Sequence, residues 1–138
     1  MTSESLDPKA IPSSHVDLIE QPLIMQLATT LPNGTPQVTP VWFSYDDGYI
    51  YFNTAEGRLK DKAIRANPYV AVSILDPNNP YRYISIRGPV VEIDETYGRA
   101  HIDSLAKRYT GADKYTFGPP TEVRIRYKLA PEHITTMG

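Results

Sequence analysis

Apolar and polar positions alternate along much of the chain, and the alternation is cut at short intervals by Pro, Asn-Gly and Asp-Gly. That rhythm predicts strands joined by tight reversals. Leu23–Thr30 reads as a strand and Leu31-Pro32-Asn33-Gly34 as its hairpin turn, because Asn-Gly supplies the positive φ of a tight reversal. Pro36–Tyr45 is the return strand. Pro40 in its middle has no N–H for the ladder, which marks an edge or a bulge. Asp46-Asp47-Gly48 turns the chain into a third strand, Tyr49–Asn53. Tyr69–Asp76 is nearly all apolar, which predicts burial on both faces. Tyr81–Ile93 is a long strand that Gly88-Pro89 kinks or bulges. In Glu122–Leu129, Val123, Ile125, Tyr127 and Leu129 alternate with Glu122, Arg124, Arg126 and Lys128, a strand with one wet face.

Helical spacing appears in three short stretches. Ser14 can cap a helix that Pro22 ends, with Asp17 as a shorter version of the capping-box acid. Gly57–Ala66 turns Leu59, Ala63, Ile64 and Ala66 inward until Asn67-Pro68 stops it. Between Glu95 and Tyr109 the apolar residues Ile102, Leu105, Ala106 and Tyr109 recur at helical spacing, and Gly111 terminates the run. Ala112–Thr121 is a loop with two prolines and two aromatics. Residues 1–10 read as a flexible arm on a single domain spanning 1–138. The fold expected is mainly β with small α: six or so antiparallel strands closed as a barrel, with short helices in the connections.

Composition agrees with that picture. Proline (13) and tyrosine (10) are over-used in 138 residues, which disfavours long helices and suits half-buried strands. The formal charge of −2 offers no basic excess for nucleic acid. The absence of cysteine removes disulfides, thiolate catalysis and zinc ribbons, and fits a reducing compartment. The first dozen residues hold no signal-peptide core, and the longest apolar run, YVAVSIL, is too short to cross a bilayer. A small cytoplasmic protein is expected, with no membrane partner.

No G-x-S-x-G, Walker A or G-x-G-x-x-G pattern is present. His15, His101 and His133 lie in separate segments without ligand spacing, so no metal is expected. Asp46, Asp47 and Asp76 sit in turns, and Glu92, Asp94 and Glu95 close a strand as a solvated face. No catalytic acid can be assigned. The informative stretch is Asn53–Lys62, where a strand ends, Thr54 and Gly57 follow, and a helix begins carrying Arg58, Lys60 and Lys62. Free amides at a helix start and the fork of an arginine suit a phosphate, whereas first-turn cations oppose the helix dipole. The same residues also fit a solvated basic face, since Arg58, Lys62 and Arg65 line up at helical spacing. A local basic cluster on a slightly acidic chain favours the phosphate. In Asp76–Gly88, aromatic and cationic residues alternate; they fit stacking on a planar ring and cross-strand pairing equally well.

Together, ATT-LPNG-TPQVTPVWFSYDDGYIYFNT and AEGRLKDKAIRANPYVAVSILDPNNPYRYISIRGPVVEI resemble the pyridoxamine 5'-phosphate oxidase-like split β-barrel family. The branch they resemble is the one that uses the deazaflavin coenzyme F-420. The resemblance implies an FMN-binding type of split barrel and a homodimer with a flavin or deazaflavin in each inter-subunit cleft. It implies that Thr54, Ala55, Gly57, Arg58 and Lys60 hold the cofactor phosphate. Gln37, Val38, Thr39, Pro40 and Val41 would run along the ring and its chain, and Tyr81 and Arg82 would come from the other subunit. FMN-using oxidases of the family carry a Ser-Arg-Lys triplet and an Arg-Gln-Val-Arg run, where this chain has Gly57-Arg58-Leu59-Lys60 and Tyr81-Arg82-Tyr83-Ile84. That difference argues against pyridoxamine phosphate oxidation and leaves FMN open. The expected function is hydride transfer between reduced F-420 and a small planar or conjugated substrate. An FMN oxidoreductase or flavin-binding protein is the alternative, and a non-catalytic module for haem or a protein partner is the third.

Overall fold

The computed structural model describes residues 8–138. A short 3-10 turn, Ser13–His15, runs into helix α1, Val16–Glu20. Strands β1 (Met25–Thr30), β2 (Pro36–Val41), β3 (Phe43–Asp46) and β4 (Tyr49–Ala55) follow as antiparallel neighbours or hairpins. Helix α2, Leu59–Ala66, leads to β5 (Tyr69–Asp76) and the long β6 (Asn79–Asp94). Helix α3, Gly98–Thr110, precedes β7 (Arg124–Leu129) and β8 (His133–Met137). The first seven residues of the expected N-terminal arm lie outside the described residues. Within the remainder of that arm, the Lys9 N–H donates to the Pro131 carbonyl at 2.7 Å.

The eight strands form two half-sheets that share β6. Its first half lies between β5 and β8; its second half pairs with β7, and the order continues through β4 to β3. The half-sheets curl around one apolar interior as a split β-barrel, with Phe43, Phe52, Ile74, Ile84, Ile86 and Tyr127 fully buried. Tyr127 stacks on Phe52 with ring centroids 5.1 Å apart. β6 stays in register with β5 through Gly88 and Pro89, and its irregularity falls just beyond the expected place, between Val90 and Glu92 where it pairs with β7. The chain leaving β7 continues antiparallel along β6 into β8: the Ala130 N–H donates to the Pro89 carbonyl and the Glu132 N–H to the Arg87 carbonyl. A Cβ on Gly88 would collide with the Ala130 carbonyl oxygen.

Several expectations are corrected. Ser14 does not cap the first helix; its hydroxyl pairs with the His15 ring at 2.8 Å. The expected strand Pro36–Tyr45 breaks at Trp42, giving β2 and β3. β5 is not buried on both faces: Val70, Val72 and Ile74 face inward, while Tyr69 and Leu75 are about half exposed. Leu59 and Ala66 are exposed on α2, and the inward positions are Asp61, Ala63 and Ile64. β8 was missed because Ala130-Pro131 interrupts the pattern. Eight strands therefore stand where six were expected.

Helix α3 ends as expected, at Gly111 with φ +81. Its start is pressed onto β7, where a Cβ on Gly98 would collide with the Arg124 carbonyl. Buried His101 ties it to the sheet. The Asn53 amide donates to His101 Nδ1 at 3.1 Å, so Nε2 carries the proton and donates to the Ser44 hydroxyl at 3.0 Å. Burial, with Arg126 and Arg124 nearby, pushes the His101 pKa down to about 4. Among the described residues no helix is long and apolar enough to cross a membrane.

Two consequences are measurable. Gly88→Ala is expected to destabilise the fold by about 1–3 kcal/mol, the usual cost of overpacking, because only backbone can yield there; urea denaturation of the variant measures it. His101 is neutral in both states above pH 6.5. Between about pH 6.5 and 4 the unfolded chain takes up a proton that the folded chain refuses, so stability falls as pH falls through that window. The loss from this group should approach roughly 3 kcal/mol. His101→Gln should remove it, and a wild-type-minus-variant stability difference that stays flat from pH 7 to 4 would count against the assignment.

Candidate active-site pocket

The end of β4 and the start of α2 build the candidate site. Gly57 adopts φ +84, a left-handed turn that a side chain would strain, and thereby reverses the chain between strand and helix. The turn is locked from beneath by Asp61, only 2% exposed. Its carboxylate accepts from the Gly57 N–H at 2.9 Å, the Tyr127 hydroxyl at 2.6 Å and Arg65 Nε at 2.9 Å. Burial opposes the charge on Asp61, but the hydrogen bonds from Tyr127, Gly57 and Arg65 outweigh it and hold its pKa below the usual value. The Tyr127 hydroxyl is pushed well up by burial and by that carboxylate. Arg58 and Lys60 are presented on this fixed turn.

Both open onto a cavity of about 440 Å³. One side of it is cationic. Arg58 and Lys60 from the turn meet Arg124 from β7, with Thr54 and Asn53 between them. Arg124 is 5% exposed, and its Nε donates to Asn53 Oδ1 at 2.9 Å. Lys60 is half-buried, and its pKa is lowered by that burial and by Arg58 and Arg124. Glu122 pairs with Arg124 at 2.9 Å and with Arg58 at 3.4 Å. Three cations thus face one paired carboxylate. The Thr54 hydroxyl, buried in the same wall, has no hydrogen-bond partner. The rest of the lining is apolar and aromatic: Trp42, Tyr115 and Phe117, with Ile102 and Leu105 from α3, and Tyr115 lies under the Arg124 guanidinium. Trp42 stacks on Tyr109 at 5.1 Å, and Tyr115 and Phe117 stand edge-on to it at 6.1 and 6.2 Å.

Of the residues singled out in the sequence, Pro40, Val41, Thr54, Arg58 and Lys60 line this cavity. Ala55 is buried at the end of β4, and Gly57 forms the turn without lining the space. Gln37, Val38 and Thr39 lie farther along β2, outside the lining. Val38 is 63% exposed, and Gln37 Oε1 is buried without a partner. Tyr81 and Arg82 stand on the β5–β6 hairpin, also outside it. Tyr81 projects outward, 78% exposed. Arg82 is bound within its own chain, to Asp17 at 2.6 and 3.0 Å, to Asp76 at 3.0 Å and to the Ser14 carbonyl at 2.7 Å. Lys62 is exposed and does not line the cavity, and Arg65 serves Asp61.

Sequence reasoning missed Arg124, Asn53, Glu122 and the aromatic wall. Arg124 was expected on a wet face; β7 passes under the start of α3 and that contact buries it, while Val123, expected inward, is 42% exposed. The single tryptophan and the paired aromatics of the Pro-rich loop were the available signal for the wall. Among the described residues no three His, Asp or Glu side chains gather as a metal site.

The comparisons agree with this architecture. An F-420 reductase of known structure is 37% identical, superposes with a TM-score of 0.80 and matches over 91% of this chain and 98% of its own. A conserved hypothetical protein from Mycobacterium tuberculosis shares 23% identity at a TM-score of 0.73, covering 93% of this chain and 85% of its own. General Stress Protein 26 from Bacillus anthracis shares 20% at 0.65, covering 88% and 89%. These last two share the fold. No curated protein matches the chain. Residues 11–138 match the family model described as pyridoxamine 5'-phosphate oxidase, and the chain belongs to that family of split β-barrels.

Proposed function

We propose that this protein is a cytoplasmic oxidoreductase that holds coenzyme F-420 in the pocket and uses it to reduce a small planar or conjugated substrate. The observation that carries the reading is the convergence of Arg58, Lys60 and Arg124 beside the unpartnered Thr54 hydroxyl, facing an aromatic wall. A cationic end with a spare buried donor suits a phosphate, and the wall suits a flat ring system. Identity of 37% with an F-420 reductase over nearly the whole chain supports the deazaflavin in particular.

When bound, F-420 supplies hydride transfer; the chain supplies position and exclusion of water. Arg58 offers a planar fork to two phosphate oxygens and Lys60 a point charge beside it. Thr54 gives its free hydroxyl to the same group. Trp42, Tyr115 and Phe117 shield the ring side from solvent. No side chain is assigned as proton donor. In a homodimer the exposed Tyr81 would reach a partner's cleft, with the hairpin beneath it braced by Arg82 and its two carboxylates. Gln37, Val38 and Thr39 would flank the cofactor from β2 in that assembly.

FMN is the second reading, because the family model that matches is that of a pyridoxamine 5'-phosphate oxidase. Titration of the purified protein with each cofactor separates the two, and tight FMN binding without F-420 binding would reverse the order.

The binding residues can be tested directly. Arg58→Ala should weaken cofactor binding by about 1.5–3 kcal/mol, the range of a charge-assisted hydrogen bond. Lys60→Ala should cost less, lacking the fork. Melting temperatures without ligand should barely move, since Arg58 is half exposed and opposes its own helix dipole. Unchanged dissociation constants in both variants would remove the phosphate site.

A further inference from the structure

One carboxylate sits among the three cations, and the function proposed above does not use it. Glu122 lies just before β7, its side chain 11% exposed. Its Oε1 accepts from Arg124 Nη1 at 2.9 Å and its Oε2 from Arg58 Nη2 at 3.4 Å, the donors that an incoming phosphate would need. The loop that carries it, residues 111–123, is seated on the pocket at three further points. Tyr115 lies under the Arg124 guanidinium, 4.9 Å from the ring centroid, and edge-on to Trp42. Phe117 meets Trp42 from another side while 72% exposed. Gly118 closes over the carboxylate so tightly that a Cβ there would collide with Glu122 Oε1.

We propose that Glu122 is a built-in competitor: its carboxylate occupies the anion subsite between Arg58 and Arg124, and an anionic ligand must displace it. The proposal deepens the reading of this pocket as a phosphate site and rests on it. Two anions held by the same guanidinium groups in a half-buried space repel strongly, so one must leave. Lys60 has no carboxylate partner among the described residues, so it is the cation an arriving anion meets unpaired. Once Glu122 swings away, Gly118 loses the group it packs on, and the loop carrying Tyr115 and Phe117 is freed from Trp42. Ligand charge beside Arg58 and Arg124 thereby sets how closed the adjoining aromatic wall is. Glu122 also sets the affinity threshold, because every ligand must first outcompete it.

Trp42 is the only tryptophan in the chain, so its emission reports the wall without a label. Inorganic phosphate is the probe, with affinity read by calorimetry. Glu122→Gln keeps the size of the side chain but removes its charge and leaves one acceptor oxygen where two now serve Arg124 and Arg58, so its hold on the subsite is broken. It is expected to bind phosphate about tenfold more tightly than wild type, and its ligand-free Trp42 emission should match that of phosphate-saturated wild type. Gly118→Ala crowds the carboxylate without changing any charge and should shift both readouts in the same direction by less. Should Glu122→Gln fail to fold, unchanged affinity in Gly118→Ala overturns the proposal. Equal or weaker affinity in folded Glu122→Gln, with Arg58→Ala still weakening wild type, overturns the competitor and leaves the phosphate site standing. Phosphate binding by Glu122→Gln alone upholds the competitor, and binding by neither protein overturns both.

Discussion

The close approach of the β7–β8 segment to β6 at Gly88 is the constraint on which the rest of the structure depends. β6 runs 16 residues and is the one strand shared by both half-sheets. It passes from one half-sheet to the other, and the backbone groups at the passage must still be satisfied. The antiparallel segment 124–137 follows β6 along one edge, pairing at β7 and β8 and interrupted at Ala130-Pro131. At that interruption the Ala130 and Glu132 N–H groups find the carbonyls of Pro89 and Arg87. Glycine at 88 permits the approach. That approach thus fixes where β7 runs, and β7 carries both Arg124 and Tyr127.

The pocket follows from that placement. Tyr127 reaches through the interior to Asp61, and Asp61 holds the Gly57 turn. The position of Arg58 and Lys60 is therefore set from a strand about 70 residues farther along the chain. Arg124, on the same strand, completes the cationic side. Buried charge of one sign is costly, and the lowered pKa of Lys60 records part of that cost. Arg58 is half exposed, Lys60 is half-buried and Arg124 is buried, and the one carboxylate that offsets them, Glu122, pairs with the two arginines.

Much was legible in the sequence because the signals were local. Gly34 after Asn33, and Asp47 with Gly48, turn the hairpins through positive φ, and Tyr69–Asp76 was read to the residue. Gly111 ended α3 for the reason a sequence reader gives. Gly57-Arg58-Leu59-Lys60 stood out because cations in a first turn work against the helix dipole. The errors also share a cause. Arg124 in an alternating strand looks like any solvent-facing arginine, and Asp61 looks like a surface residue of a short helix. Leu59, an apolar side chain at a plausible inward position, is half exposed.

By itself the sequence determined most of the strand-and-turn order and the place where a strand delivers cations to a helix start. Each is decided by the φ preferences, missing donors or charges of a few adjacent residues. Only the tertiary structure decided that Arg124 is buried, that Asp61 is the lock beneath the turn and that Trp42 belongs to a wall with Tyr115 and Phe117. It also decided that Glu122 lies between two arginines. Burial and charge pairing depend on which distant segments pack together, and one strand's own pattern of polar and apolar residues holds no record of its neighbours.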